Sequence, residues 1–170
     1  TLGVLVSRLE AVLAPVLPEF ELILVNDGSA DESWRVITEL ASRNARVRGI
    51  NLMRNYGQHN ALLCGIRAAA LPTIVTIDDD LQHPPEEIPK LLAALTEDID
   101  VMYGVPRSQQ HGLLRDLASQ VTKLALQSAM GADTARHVSA FRVFRTNLRD
   151  SFARYRSPFA SIDVMLTWGT

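Results

Sequence analysis

Apolar residues recur at helical spacing over residues 2–13, and Pro15 and Pro18 close that segment because proline lacks a donor and clashes with the preceding turn. The apolar run at 21–25 predicts a buried strand, followed by a turn at Asn26-Asp27-Gly28-Ser29. A helix is predicted over 30–43, a strand over 47–52, a helix over 57–70 and a β-branched strand over 73–77. Pro84-Pro85-Glu86 marks a helix start, since proline is tolerated in the first turn; the helix continues over 88–95 towards a strand at 99–103. Strands that alternate with helices imply right-handed crossovers. The prediction is therefore an α/β fold, a Rossmann-like, mainly parallel sheet flanked by helices, whose ligand sites lie beyond the carboxyl ends of the strands.

After Gly104 the rhythm changes to a polar loop, an amphipathic helix over 113–130 and a short strand over 141–144, so a soft boundary is placed near residue 104. At 170 residues and 47% hydrophobic content the chain suits one domain with one substantial core. A net charge of −2 and a pI near 6.1, with no long basic run, argue against a nucleic-acid partner. The single cysteine, Cys64, sits among apolar residues and cannot form an internal disulfide, which favours a reducing, cytoplasmic setting. No run approaches the ~18 apolar residues of a membrane span. The chain starts at Thr1 and stops at Thr170 just after an apolar run, so it reads as a fragment of something longer.

Asp78, Asp79 and Asp80 follow the strand at 73–77 without interruption. Three adjacent carboxylates repel one another and raise each other's pKa unless a cation or hydrogen-bond donors compensate. Asp78 and Asp80 can converge on a divalent ion as the strand ends, with Gln82 offering a neutral oxygen; such hard ligands suit Mg2+ or Mn2+. The competing explanation is that the cluster caps the helix that starts at Pro84 or Pro85, where negative charge is favourable.

Three segments together resemble the family 2 glycosyltransferases, and in particular the branch similar to dolichol-phosphate mannose synthases and bacterial polyprenyl-phosphate sugar transferases. They are Leu24-Val25-Asn26-Asp27-Gly28-Ser29 with Asp31, Arg54-Asn55-Tyr56-Gly57-Gln58-His59-Asn60-Ala61, and Asp78-Asp79-Asp80-Leu81-Gln82-His83-Pro84-Pro85-Glu86. The resemblance implies a GT-A-type fold. It divides a single catalytic domain, 1–170, into a nucleotide-sugar-binding half, 1–104, and an acceptor-side half, 105–170. It implies Asp27 at the nucleoside, Asp78 at nucleotide or metal, and Asp80 with Gln82 at the metal. Arg107 is expected to face the donor phosphates, with Arg115 and Ser119 matching a phosphate-binding spacing of the polyprenyl branch. Asp78, Asp80 and Arg107 are thus the expected catalytic set. The bland alternatives are a turn-stabilising aspartate at 27 and solvated arginines at 107 and 115, while His59 reads as packing rather than as a base.

Ser139-Ala140-Phe141-Arg142 aligns with the acceptor-side segment in which many relatives carry an aspartate. Ala140 cannot act as a base, which favours an acceptor already anionic: a polyprenyl phosphate rather than a sugar hydroxyl. Relatives begin with a strand that this chain lacks, and many continue into membrane helices, so the expected setting is the cytoplasmic side of a membrane, reached through a longer parent. The expected activity is metal-dependent, inverting transfer of a sugar from a nucleoside-diphosphate donor to a polyprenyl phosphate. The alternatives are transfer to a saccharide or other hydroxyl, and an inactive nucleotide-sugar-binding module.

Overall fold

The computed structural model describes residues 1–104 and 139–169. Helix α1 spans Leu2–Leu13, strand β1 Leu22–Asn26, α2 Ser33–Arg43, β2 Val47–Asn51, α3 Gln58–Ala68 and β3 Thr73–Thr76. A 3-10 turn, Pro85–Glu87, leads into α4, Ile88–Ala94, and then β4, Val101–Tyr103. Beyond residue 138, β5 spans Arg142–Arg145, a second 3-10 segment Thr146–Phe152 and α5 Ile162–Leu166. Each element predicted in the first 104 residues is present, with ends moved by a few residues. The helix predicted over 113–130 lies outside the described residues.

Strands β1 and β2 pair in parallel, Leu22 opposite Val47 through Asn26 opposite Asn51, with α2 as the crossover between them. Trp34 and Ile37 of α2 lie over Gly49 of β2, where a Cβ would collide with the Ile37 side chain at 2.5 Å. The second half of the strand order differs from simple alternation. Strand β5 inserts between β3 and β4 and runs antiparallel to both, so the part of the chain beyond residue 104 supplies a strand to the same α/β body.

Two cores lie on opposite faces. One gathers Leu5 and Leu9 of α1, Leu22 of β1, Ile88 and Leu91 of α4 and Val143 of β5. The other gathers Leu63 and Ile66 of α3, Ile74 of β3, Phe144 of β5, Phe152 and Met165. Val143 and Phe144 are both fully buried yet belong to different cores, as the two-residue period of a strand requires when both faces are covered.

Strands β1 and β3 run in the same direction. Just before each of them, Ala70 N–H donates to Glu21 Oε1 at 2.7 Å; just after each of them, the first turn of α3 reaches both Asp27 and Asp78. The two acidic turns therefore sit together at the carboxyl ends of the strands.

Candidate functional site

The first wall of the site is the turn after β1. Gly28 adopts φ +67°, and a Cβ there would run into the backbone of Arg54 and Asn55, so only glycine lets this turn press against the 54–57 loop. Asp27 fixes the contact: Oδ1 accepts from Tyr56 N–H at 2.7 Å and Oδ2 from Gly57 N–H at 2.9 Å. Arg54 lies over the Tyr56 ring, 4.9 Å from its centroid, and both are exposed on the site side of the loop. Behind the turn, the buried Asn26 donates to Asn51 Oδ1 at 2.7 Å and ties the ends of β1 and β2 together.

The second wall is the acidic turn after β3. Asp78 is half-buried, whereas Asp79 and Asp80 are exposed. Asp78 Oδ1 accepts from Gln58 Nε2 at 2.7 Å, and Asp80 Oδ1 accepts from Gln82 N–H at 2.9 Å. Leu81 between them holds φ 63°, a left-handed conformation that costs a branched L-residue roughly 1 kcal/mol and bends the chain sharply back. Burial, and after it the charge of Asp80, pushes the Asp78 carboxyl above its ordinary range; Gln58, His83 and Arg142 only partly offset this. Asp78 and Asp80 are thus brought together, exposed Gln82 contributes a backbone N–H to the turn, and Asp27 stands across the α3 first turn from them. Among the described residues no three His, Cys, Asp or Glu side chains converge as a metal-binding group.

The third wall comes from β5. Continuing its register with β3 beyond Thr76 opposite Arg142 places Ala140 opposite Asp78. Phe141 is pinned between the His83 ring, stacked at 5.2 Å, and Gly104, whose N–H donates to the Phe141 carbonyl at 2.8 Å. Below them lies a buried polar cluster. Arg142 donates to Asp163 and, at 3.0 Å, to Thr76 Oγ1, while Thr76 in turn donates to the Ala140 carbonyl at 2.6 Å. Tyr103 donates to Asp163 Oδ1 at 3.3 Å; burial, and then the Asp163 charge, pushes its phenol up to about 12. His59 accepts from Ile162 N–H through Nδ1 at 3.3 Å, and burial lowers its pKa, which is a packing role rather than that of an exposed base.

Arg107, Arg115 and Ser119 lie outside the described residues. The sequence reading gave no role to Gln58, Arg142 or Asp163. Gln58 stood inside a quoted motif, but its partner is 20 positions away; the signal for Arg142 was an arginine embedded in the apolar run Phe141-Arg142-Val143-Phe144, which needs a buried acid.

A glycosyl transferase family 2 model matches residues 3–157. The undecaprenyl-phosphate 4-deoxy-4-formamido-L-arabinose transferase of Klebsiella pneumoniae is 35% identical over 161 residues, 93% of this chain and 49% of that protein. The transferase of the same name from Pectobacterium carotovorum is 36% identical over 149 residues, 87% of this chain and 46% of that protein. The chain spans about half the length of these curated relatives. Among solved structures, glucosyl-3-phosphoglycerate synthase from Mycobacterium tuberculosis, in complex with Mn2+, UDP-glucose and phosphoglyceric acid, superposes with a TM-score of 0.58 at 22% identity. It covers 85% of this chain and 52% of that one, a likeness of α/β fold. With its two acidic turns facing one another at the strand ends and the family model running across most of its length, the chain belongs to glycosyl transferase family 2.

Proposed function

We propose that this chain is the donor-binding body of a metal-dependent, inverting glycosyltransferase that moves a sugar from a nucleoside diphosphate to a polyprenyl phosphate. The observation that carries the reading is the pairing of Asp78 and Asp80 after β3. Two carboxylates are held close, one of them half-buried and raised in pKa, with too few donors to neutralise them. The donor set fits a divalent cation such as Mg2+ or Mn2+: Asp78 and Asp80 would hold it, with Gln82 at the rim. The protein supplies two carboxylates rather than a complete cage, which suits an ion that shares its shell with diphosphate and water. When bound, the ion supplies charge neutralisation of the leaving diphosphate.

The rest of the chemistry is assigned to this chain's own residues. Asp27, through the lone pairs left by Tyr56 and Gly57 N–H, and the Arg54–Tyr56 loop hold the nucleoside. Arg107, Arg115 and Ser119 bind phosphate groups of donor and acceptor. Ala140 stands where a base would face Asp78, and Asp163 is buried and committed to Arg142 and Tyr103, so neither offers a proton acceptor to an incoming hydroxyl. A phosphate monoester nucleophile needs none, and positioning replaces proton removal. The names of the relatives support the same acceptor class. Such an acceptor places the reaction at a membrane surface, on its cytoplasmic side. Among the described residues no helix is long and apolar enough to cross a membrane.

The test is calorimetric titration of a panel of nucleoside diphosphates with Mg2+, Mn2+ or chelator, then turnover of the full-length protein with undecaprenyl phosphate and with a free oligosaccharide. Tighter binding with metal and transfer to the lipid phosphate are expected. Equal binding in chelator removes the metal assignment, and transfer to the oligosaccharide alone removes the lipid acceptor.

A further inference from the structure

Strands β1 and β3 run in the same direction, yet among the described residues they belong to separate sheets, one ordered β2-β1 and the other β3-β5-β4. Between them lies a cleft of about 950 Å³ lined by both strands. Its remaining walls are apolar: Leu5 and Leu9 of α1 on one face, Ala61 and Ile66 of α3 on the other. Asp27 and Asp78 stand at its mouth.

The dimensions select the occupant. A five-residue strand with its share of both faces, roughly 17 Å long, 4.8 Å wide and 10 Å thick, takes roughly 800 Å³. The walls select it too. Along the cleft, β1 and β3 each present a backbone edge with no ladder partner among the described residues, and such edges demand hydrogen bonds that a lipid tail or a cluster of side chains cannot give. Leu24 and Val75 face the α1 core, whereas Ile23 and Val25 lie towards Gly65 of α3, so a strand seated here has both faces covered and must be apolar throughout.

The connection is also defined. Glu10 of α1 accepts from Asn44, just before β2, at 2.5 Å, which puts the end of α1 at the amino ends of the strands and Thr1 at their carboxyl ends. Helix α1 lies over the cleft and leads into β1, as the crossover of a right-handed strand–helix–strand unit does.

We propose that the cleft is the seat of one further β-strand, parallel to β1 and β3, supplied by the residues that a longer chain carries immediately before Thr1. That strand joins the two sheets into one and delivers its carboxyl end between Asp27 and Asp78, where it completes the floor of the site. The inference stands on the two edges and the cleft and does not depend on which donor or acceptor is used.

The experiment extends the chain before Thr1 with five strand residues, Val-Val-Ile-Val-Val, and a short Asp-Gly-Asn-Ser loop. A matched extension carries proline at the second and fourth strand positions, which cannot donate to a ladder. Amide hydrogen exchange is followed in β1 and β3, with the oligomeric state measured alongside. The apolar extension is expected to slow exchange of the cleft-facing amides at least about 100-fold and to keep the chain monomeric, while the proline extension leaves exchange as in the 170-residue chain. Unchanged exchange with the apolar extension overturns the proposal, as does equal protection by the proline extension. Protection in the unextended chain that grows with protein concentration overturns it in favour of a second copy as the occupant.

Discussion

The two acidic turns occupy equivalent places, each just past the carboxyl end of a strand, and their electrostatics are opposite. The Asp27 carboxylate is satisfied by two backbone N–H groups of the 54–57 loop. Asp78 has one amide donor, is half-buried and feels the charge of Asp80. The first turn of α3 joins them, Gly57 donating to one and Gln58 to the other. A carboxylate closed by the protein's own donors holds the structure together; a pair left open to each other holds the capacity to bind a cation. The same residue type at the same kind of position thus serves two ends, and what separates them is the number of donors within reach.

The sharpest way to break this comparison is to remove one charge from the open turn. Asp80→Asn keeps the oxygen that accepts from Gln82 N–H but halves the charge of the pair. Turnover of the full-length protein is expected to fall at least about 100-fold, the scale of losing one electrostatic stabiliser at a reacting diphosphate, with the melting temperature held. Retention of most of the wild-type rate would show that the open turn is not the chemical one. The converse change belongs to the closed turn. Asp27→Ala strands two N–H groups and is expected to cost about 1.5 to 3 kcal/mol, read by denaturant unfolding of the chain. Asp27→Asn, able to accept only through one oxygen, falls between. A stability unchanged by either substitution would mean that the two bonds exchange freely with water.

Both turns were legible as motifs, because aspartates placed after apolar runs carry their position in the sequence. Their division of labour was not. It depends on Tyr56 and Gly57 lying 29 and 30 positions from Asp27, on Gln58 lying 20 positions from Asp78, and on a glycine that lets two loops touch. The helices and strands of the first 104 residues followed from periodicity and proline placement, since local sterics decide them. The antiparallel insertion of β5 did not, because strand order is set by which edge remains free, and an apolar run of four residues is silent on that. The buried Arg142–Asp163 pair was hidden for the same reason: its members are 21 positions apart and meet only once β5 and α5 close over β3.

A smaller effect sharpens the open turn from the side of stability. Because the Asp78 pKa is raised in the fold, its contribution to stability is fully present below the unfolded value near 3.8 and is lost as pH rises through the folded value. At neutral pH, without metal, the ionised Asp78 therefore costs stability. Asp78→Asn can keep the Gln58 bond and is expected to gain about 0.5 kcal/mol at pH 7, an amount reduced by solvent screening at a half-exposed site. The gain should vanish below the unfolded pKa. Mg2+ or Mn2+ should raise the melting temperature of the wild type and not of the variant. A loss of stability in Asp78→Asn at pH 7 would place Asp78 with the satisfied carboxylates, beside Asp27.

The smallest effect tests the helix turn that links the two walls. His59 follows Gln58 on α3, and its Nδ1 accepts from Ile162 N–H, so the neutral ring with its proton on Nε2 is the form the fold requires. Burial lowers its pKa, with Asp163 opposing and Arg142 reinforcing the shift. A lowered histidine contributes stability that is present above its unfolded value near 6.5 and is lost as pH falls through the folded value, because the protonated ring no longer accepts and its charge is poorly solvated. His59→Asn places an amide oxygen where Nδ1 stood and does not titrate. Between pH 7.5 and 5.5 the wild type is expected to lose about 0.5 kcal/mol more than this variant, read as a steeper fall in melting temperature. Parallel curves for the two proteins would show that the Ile162 bond does not require the neutral ring, and that α3 is anchored at Gly57 and Gln58 alone.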